Sequence, residues 1–65
     1  MEILLWQVRQ EKNMSVRALS EKSGVSKSEI NYIENGVKMP RVDVMCALAK
    51  ALDVTLDDLV LYRKN

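Results

Sequence analysis

The stretch from Ser26 to Gly36 reads S-K-S-E-I-N-Y-I-E-N-G, and it admits little except a short helix signed at both ends. Ser26 is a strong N-cap residue. Glu29 stands three residues on, the spacing of a capping box in which two orphan backbone N–H groups are satisfied reciprocally. At the other end, Asn35-Gly36 supplies a residue able to adopt positive φ just past the last turn. At about 100° per residue, Ile30 and Ile33 share one narrow sector, while Lys27, Ser28, Asn31 and Tyr32 occupy the opposite side. The helix therefore has one face that packs and one made entirely of hydrogen-bonding side chains.

The segment before it, Ser15-Val-Arg-Ala-Leu-Ser-Glu-Lys-Ser23, reads as a second short helix. Ser15 is its cap, Ala18 and Leu19 face inward, and Gly24 closes it in the left-handed conformation, with Val25 following. Ser20 is small enough to let the next helix cross closely. Two helices joined by so tight a turn have helix-turn-helix geometry. An α-helix fits the DNA major groove, where Lys suits guanine O6/N7 and Asn suits adenine N6/N7. Taken alone, the polar face of residues 27 to 34 is equally well explained as a solvated surface.

Residues 16 to 35 resemble the helix-turn-helix of the XRE family, the Cro and phage-repressor type of DNA-binding domain. The similarity extends from Ser20 and Gly24-Val25 through Ile30 and the closing I-E-N-G of Ile33 to Gly36. It continues in A-x-A-L-x-V-x-L-D-D-L from Ala49 to Leu59. The resemblance implies an all-α, five-helix, lambda repressor-like domain over residues 1–65 whose third helix, about 27 to 34, enters the major groove. It implies base reading by Lys27, Ser28 and Tyr32, with Asn31 beside them. Ser26, Asn35 and Lys38 match places that hold the phosphate backbone, and Arg41 lies in a loop that can approach phosphates or the minor groove. Arg9 matches a first-helix arginine that pairs structurally with the glutamate of I-E-N-G, here Glu34.

Two positions depart from the family pattern. Where the second helix often begins with Gln, this chain has Val16, so that phosphate contact is lost or passes to Arg17. Pro40 is followed by Arg41 instead of Ser or Thr; Arg41 cannot cap a helix, but it can bind a phosphate.

Sixty-five residues permit one domain, and a chain this small buries only about 60% of its unfolded surface. The single Cys46 excludes an internal disulfide, and without His the commonest metal ligand and general base is missing. No metal, cofactor or catalytic residue is expected. Cys46 falls among Val44, Met45, Ala47 and Leu48 in a helical run, which predicts an inert core thiol. No apolar run is long enough to span a bilayer, and Met1 to Trp6 is too short for a signal peptide, so a cytoplasmic protein is expected. The net charge of +1 hides an asymmetry. Residues 12 to 41 carry six Lys or Arg against three Glu, whereas residues 42 to 65 carry three against four Asp. The basic excess covers the helix-turn-helix half, as the electrostatic footprint of a DNA-binding face does.

The remaining helices follow from spacing. Helix one is expected over about 2 to 12, with Met1, Leu5 and Val8 inward. Helix four, about 42 to 52, presents Val42, Met45, Leu48, Ala49 and Leu52. Helix five follows Thr55, where Thr55 and Asp58 form a second box-like cap. Leu56 and Leu59 suffice for its inner face. Ile3 and Trp6 on the first helix and Val60, Leu61 and Tyr62 on the last are surplus apolar residues, and such a patch marks a protein interface. A homodimer through Trp6, Val60, Leu61 and Tyr62 is the expectation.

Together these readings predict a dimeric, sequence-specific regulator of transcription, a repressor, binding double-stranded DNA at two half-sites roughly 10 bp apart. The second function class is a protein-interaction module of the same fold, an antitoxin or co-regulator whose apolar patch binds a different protein. An enzyme is disfavoured by the lack of His, of a Gly-rich phosphate loop and of a paired carboxylate in a cleft.

Overall fold

A computed structural model describes residues 2–61, and their order is β1 (Glu2–Ile3), α1 (Leu5–Glu11), α2 (Val16–Ser23), α3 (Lys27–Glu34), α4 (Val42–Leu52), α5 (Leu56–Leu59) and β2 (Val60–Leu61). Every helix sends at least one branched aliphatic side chain to the centre. Leu5, Leu19, Ile30, Leu48, Leu52 and Leu59 are all essentially inaccessible to solvent. Each such burial is worth about 1.5–3 kcal/mol. Because α4 contributes Met45, Leu48, Ala49, Ala51 and Leu52 to this core, it is the post against which α2 and α5 pack.

Short helices need their ends satisfied, and here local chemistry does most of it. Ser15 Oγ accepts from the Ala18 N–H at 3.0 Å, and Ser26 Oγ accepts from the Glu29 N–H at 3.1 Å. At α5 the box is complete: Asp58 N–H donates to Thr55 Oγ1 at 3.3 Å, and Thr55 N–H donates to Asp58 Oδ2 at 2.9 Å. Three of the C-termini close as Schellman motifs, each on a left-handed residue. After α1 it is Asn13 (φ 54°), with Met14 N–H donating to the Arg9 carbonyl; after α3, Gly36 (φ 71°), with Val37 N–H donating to the Tyr32 carbonyl; after α4, Asp53 (φ 59°), with Val54 N–H donating to the Ala49 carbonyl. Gly24 (φ 80°) ends α2 through a single bond to the Ser20 carbonyl. These turns keep the connections short and fix where each next helix starts.

The chain termini differ from the sequence expectation. Residues 2 and 3 are not part of the first helix, and Val60 and Leu61 do not extend the last one. They form a two-stranded antiparallel ladder, with Glu2 opposite Leu61 and Ile3 opposite Val60. Leu4 N–H donates to the Leu59 carbonyl at 2.7 Å beside it. Fraying single turns at both ends would leave backbone groups to water, whereas the ladder satisfies them mutually and lets Ile3 and Val60 cover the core from outside. Ile3, expected to point away, is accordingly half-buried.

Other departures have simple geometric causes. Ala18 is exposed, because α2 turns Leu19 alone fully inward. Cys46 is exposed and not a core thiol, since the buried stripe of α4 runs through Met45, Leu48, Ala49 and Leu52 and leaves residue 46 on the side of Asp43 and Lys50. Val42, at the first turn of α4, and Leu56, at the first turn of α5, lie before their helices enter the core and remain exposed. The Ser26–Glu29 box forms only its Ser26 half, because the Glu29 carboxylate accepts from Lys38 Nζ instead.

The α5 box carries a pH signature. Hydrogen bonds from the Thr55 backbone, then from its side-chain contact, hold the Asp58 carboxyl below the ordinary aspartate value of 3.8. A depressed folded-state pKa gives stabilisation that is complete above the unfolded value and disappears as pH falls through the folded one. The difference in thermal midpoint between the unmodified chain and Asp58→Asn should be constant near neutrality and shrink below about pH 3.8. Calorimetry across that range checks it.

Candidate nucleic-acid interface

Helix α3 places its side chains as its periodicity demands. Ile30 and Ile33 are buried, and Lys27, Ser28, Asn31 and Tyr32 are all exposed, the Tyr32 ring by about half its surface (49%). The preceding turn is set by Gly24 in the left-handed region and by Ser23 Oγ accepting from the Val25 N–H at 3.1 Å. Val25 then tucks against the core, and α3 leaves the turn already capped by Ser26.

What holds α3 against the rest of the molecule is a shielded ion pair. Arg9 Nε donates to Glu34 Oε2 at 2.7 Å, and its Nη2 donates to Oε1 at 3.0 Å, a two-pronged contact in which the side chains are only 10% and 7% exposed. A third bond, from Arg9 Nη1 to the Met14 carbonyl at 3.0 Å, ties the same guanidinium to the α1–α2 turn. The hydrogen bonds to Glu34 raise the Arg9 pKa above its ordinary value despite the opposing effect of burial. The guanidinium therefore stays charged at any pH the fold survives. One side chain thus fixes α1, the turn into α2 and the last turn of α3 relative to one another.

The cations around α3 are differently arranged from the sequence picture of free basic residues. Arg17 Nε lies 3.2 Å from Glu21, Lys38 Nζ 3.1 Å from Glu29, and Arg41 Nε 3.4 Å from Asp43. Ser26 and Asn35 are exposed at the two ends of α3, and the Ser26 hydroxyl oxygen is engaged by the cap. Arg41 occupies the N-cap position of α4 without capping it, and Asp43 takes the Val44 N–H instead. The Arg17–Glu21 spacing is legible as an i,i+4 pair. The Lys38–Glu29 contact joins residues nine apart across a turn, and no sequence periodicity announces it.

Of the residues expected at a dimer interface, Trp6 on α1 (52% exposed) and Leu61 on β2 (45%) lie on the surface. Val60 is half-buried against the core, and Tyr62 lies outside the described residues. Sequence reasoning missed a second exposed apolar set. Val37, Met39 and Val42 project from the α3–α4 loop and the start of α4, and Met39 and Val42 line a cleft together with Ile3, Met45 and Val60. The signal available was the run V-K-M-P-R-V, where apolar residues outnumber polar ones in a loop. Among the described residues no group of acidic, Cys or His side chains could hold a metal ion, and no helix is long and apolar enough to cross a membrane.

Comparison with known proteins agrees with this geometry. A family described as helix-turn-helix matches residues 7–59, which covers all five helices save the first residues of α1. The chain belongs to the XRE-type helix-turn-helix family. Two curated relatives from Mycobacterium tuberculosis, one from strain CDC 1551 / Oshkosh and one from strain H37Rv, are each named an uncharacterized HTH-type transcriptional regulator. Each is 41% identical over 54 residues, covering 83% of this chain and 37% of the relative. The chain thus spans little more than a third of the length of the curated relatives it matches.

In this helix-turn-helix domain the shielded pair should dominate mutational sensitivity. Glu34→Gln leaves a buried guanidinium without its counter-charge and should cost about 3–5 kcal/mol, while an Arg9→Met/Glu34→Leu double variant should recover most of that loss. Urea denaturation of the three proteins measures both.

Proposed function

We propose that the chain is a sequence-specific double-stranded DNA-binding module of a transcriptional regulator, a repressor, with α3 in the major groove. The observation that carries this reading is the exposure of Lys27, Ser28, Asn31 and Tyr32 together on one face of a helix whose opposite face and C-terminus are locked to the core by Ile30, Ile33 and the Arg9–Glu34 pair. A reading element must be rigid and must present donors and acceptors outward, and α3 meets both conditions. The family and the names of the relatives support DNA as the partner.

In this reading Lys27, Ser28, Asn31 and Tyr32 meet base edges, while Arg17, Ser26, Asn35, Lys38 and Arg41 meet sugar-phosphate. The two classes of contact do different work: phosphate contacts fix register, and base contacts carry sequence. Selection of sites from random duplex DNA should enrich a defined motif. Lys27→Ala should then change the preferred sequence and cost about 1–3 kcal/mol on the best site, whereas Lys38→Ala should weaken all sequences alike and flatten the salt dependence. Quantitative binding on selected and scrambled duplexes separates the two. Failure to enrich any motif would sink this reading.

The regulator is further proposed to act as a homodimer. Trp6 and Leu61 are exposed apolar residues of the kind that marks an associating surface, and the sequence adds Val60 and Tyr62 to the proposed interface. Two copies related by a two-fold axis would present two α3 helices to half-sites about one helical turn apart. Sedimentation at high micromolar concentration should show a dimer, and Trp6→Glu should shift it to monomer. A monomeric unmodified chain overturns the dimer.

A further inference from the structure

The ion pairs around α3 are not scattered. Among the described residues there are four, and apart from the shielded Arg9–Glu34 pair each one involves a cation assigned to the DNA backbone: Arg17 with Glu21, Lys38 with Glu29, Arg41 with Asp43. The base-facing cation, Lys27, has no such partner among the described residues. Backbone-facing positive charge is thus locally cancelled, and base-facing positive charge is not.

Cancellation on this pattern has a physical consequence. A uniformly positive surface attracts a phosphate backbone at any register, and that attraction supplies essentially all non-specific binding. An edge in which each cation is followed by a carboxylate within 3.4 Å behaves differently. A duplex seated so that phosphates meet Arg17, Lys38 and Arg41 exchanges each internal ion pair for a phosphate contact and leaves the carboxylates facing the gaps. A duplex seated out of register puts phosphates against carboxylates, and like-charge juxtaposition is the repulsive element that separates right partners from wrong ones. Glu29 is the most constrained of the three, its side chain only 22% exposed because Lys38 covers it. It also stands on α3 itself, two residues from Lys27, so its distance from the backbone is fixed by that helix.

We propose that Glu21, Glu29 and Asp43 are specificity-determining residues that suppress non-specific DNA binding by engaging the backbone-contacting cations and repelling misregistered phosphates. This rests on the DNA-binding reading above, and it assigns to three acidic residues a role opposite to attraction.

The test compares the unmodified chain with Glu29→Gln, with the more exposed pair Glu21→Gln/Asp43→Asn, and with the triple variant. Each is measured on a site selected from random DNA and on a scrambled duplex over a range of salt, with the thermal midpoint recorded to show that each is folded. In the triple variant, affinity for the scrambled duplex should rise by about tenfold or more, and its salt slope should steepen by up to ~0.9 per released cation. Affinity for the selected site should rise less, so the ratio between the two falls. An unchanged or increased ratio in folded variants overturns the proposal. Weaker binding of Glu29→Gln to both duplexes overturns it for Glu29, which is then a brace for Lys38. If neither the unmodified chain nor the triple variant retains any duplex at low salt, the DNA-binding reading itself fails.

Discussion

The Arg9–Glu34 pair is the contact on which the placement of α3 depends. Its side chains are 10% and 7% exposed, and it spends every arm of the guanidinium on protein. A two-pronged geometry defines orientation as well as distance, which a lysine could not do. Breaking it would free both the α1–α2 turn, through the Met14 carbonyl, and the end of α3. Burial of Ile30 and Ile33 alone fixes which face of α3 points inward, but hydrophobic contact is non-directional and leaves the helix able to slide or rotate. The ion pair removes that freedom.

Around it the molecule achieves order at small size by closing most of its helix ends locally. Three Schellman turns, one left-handed glycine cap and three side-chain N-caps account for backbone groups that a larger domain would satisfy in its interior. The two-stranded ladder does the same for the chain's outer segments. With the core reduced to about one large side chain per helix, any helix that moved would uncover a large fraction of the hydrophobic interior. The short turns and the core therefore reinforce each other.

The surface divides by charge chemistry. The α3 face is polar and open; its flanks carry cations that are already partnered; Val37, Met39 and Val42 around the loop into α4, and Trp6 and Leu61, expose apolar surface. A DNA-binding face with partnered cations draws less on net charge, consistent with a chain whose total is only +1. In the proposed reading such a face depends correspondingly more on the side chains of α3.

How far the sequence went can be judged residue by residue. Helices α2 and α3 were legible to within a residue, because serine caps, glycine stops and a two-residue apolar sector are local signals that operate within one or two turns. The Thr55–Asp58 box and the core positions of α4 from Met45 to Leu52 were legible for the same reason, as was the exposure of Lys27, Ser28, Asn31 and Tyr32. Residues 2–3 and 60–61 were not, since a ladder between the two ends of a chain leaves no trace in the periodicity of either. Nor was the exposure of Cys46, Val42 and Leu56, which depends on how far each helix is rotated against its neighbours. The left-handed turns at Asn13 and Asp53 lack glycine, and only the placement of the following helix makes their conformation necessary. The partnering of Lys38 by Glu29 came from the same source: a turn that folds the loop back over α3. Local chemistry in the sequence determined which segments are helical and which face of α3 is polar, because caps and periodicity act at short range. The tertiary structure decided that Lys38 is partnered, which apolar residues are covered and how α3 is held, because each of those depends on groups from different parts of the chain meeting at a distance of a few ångströms.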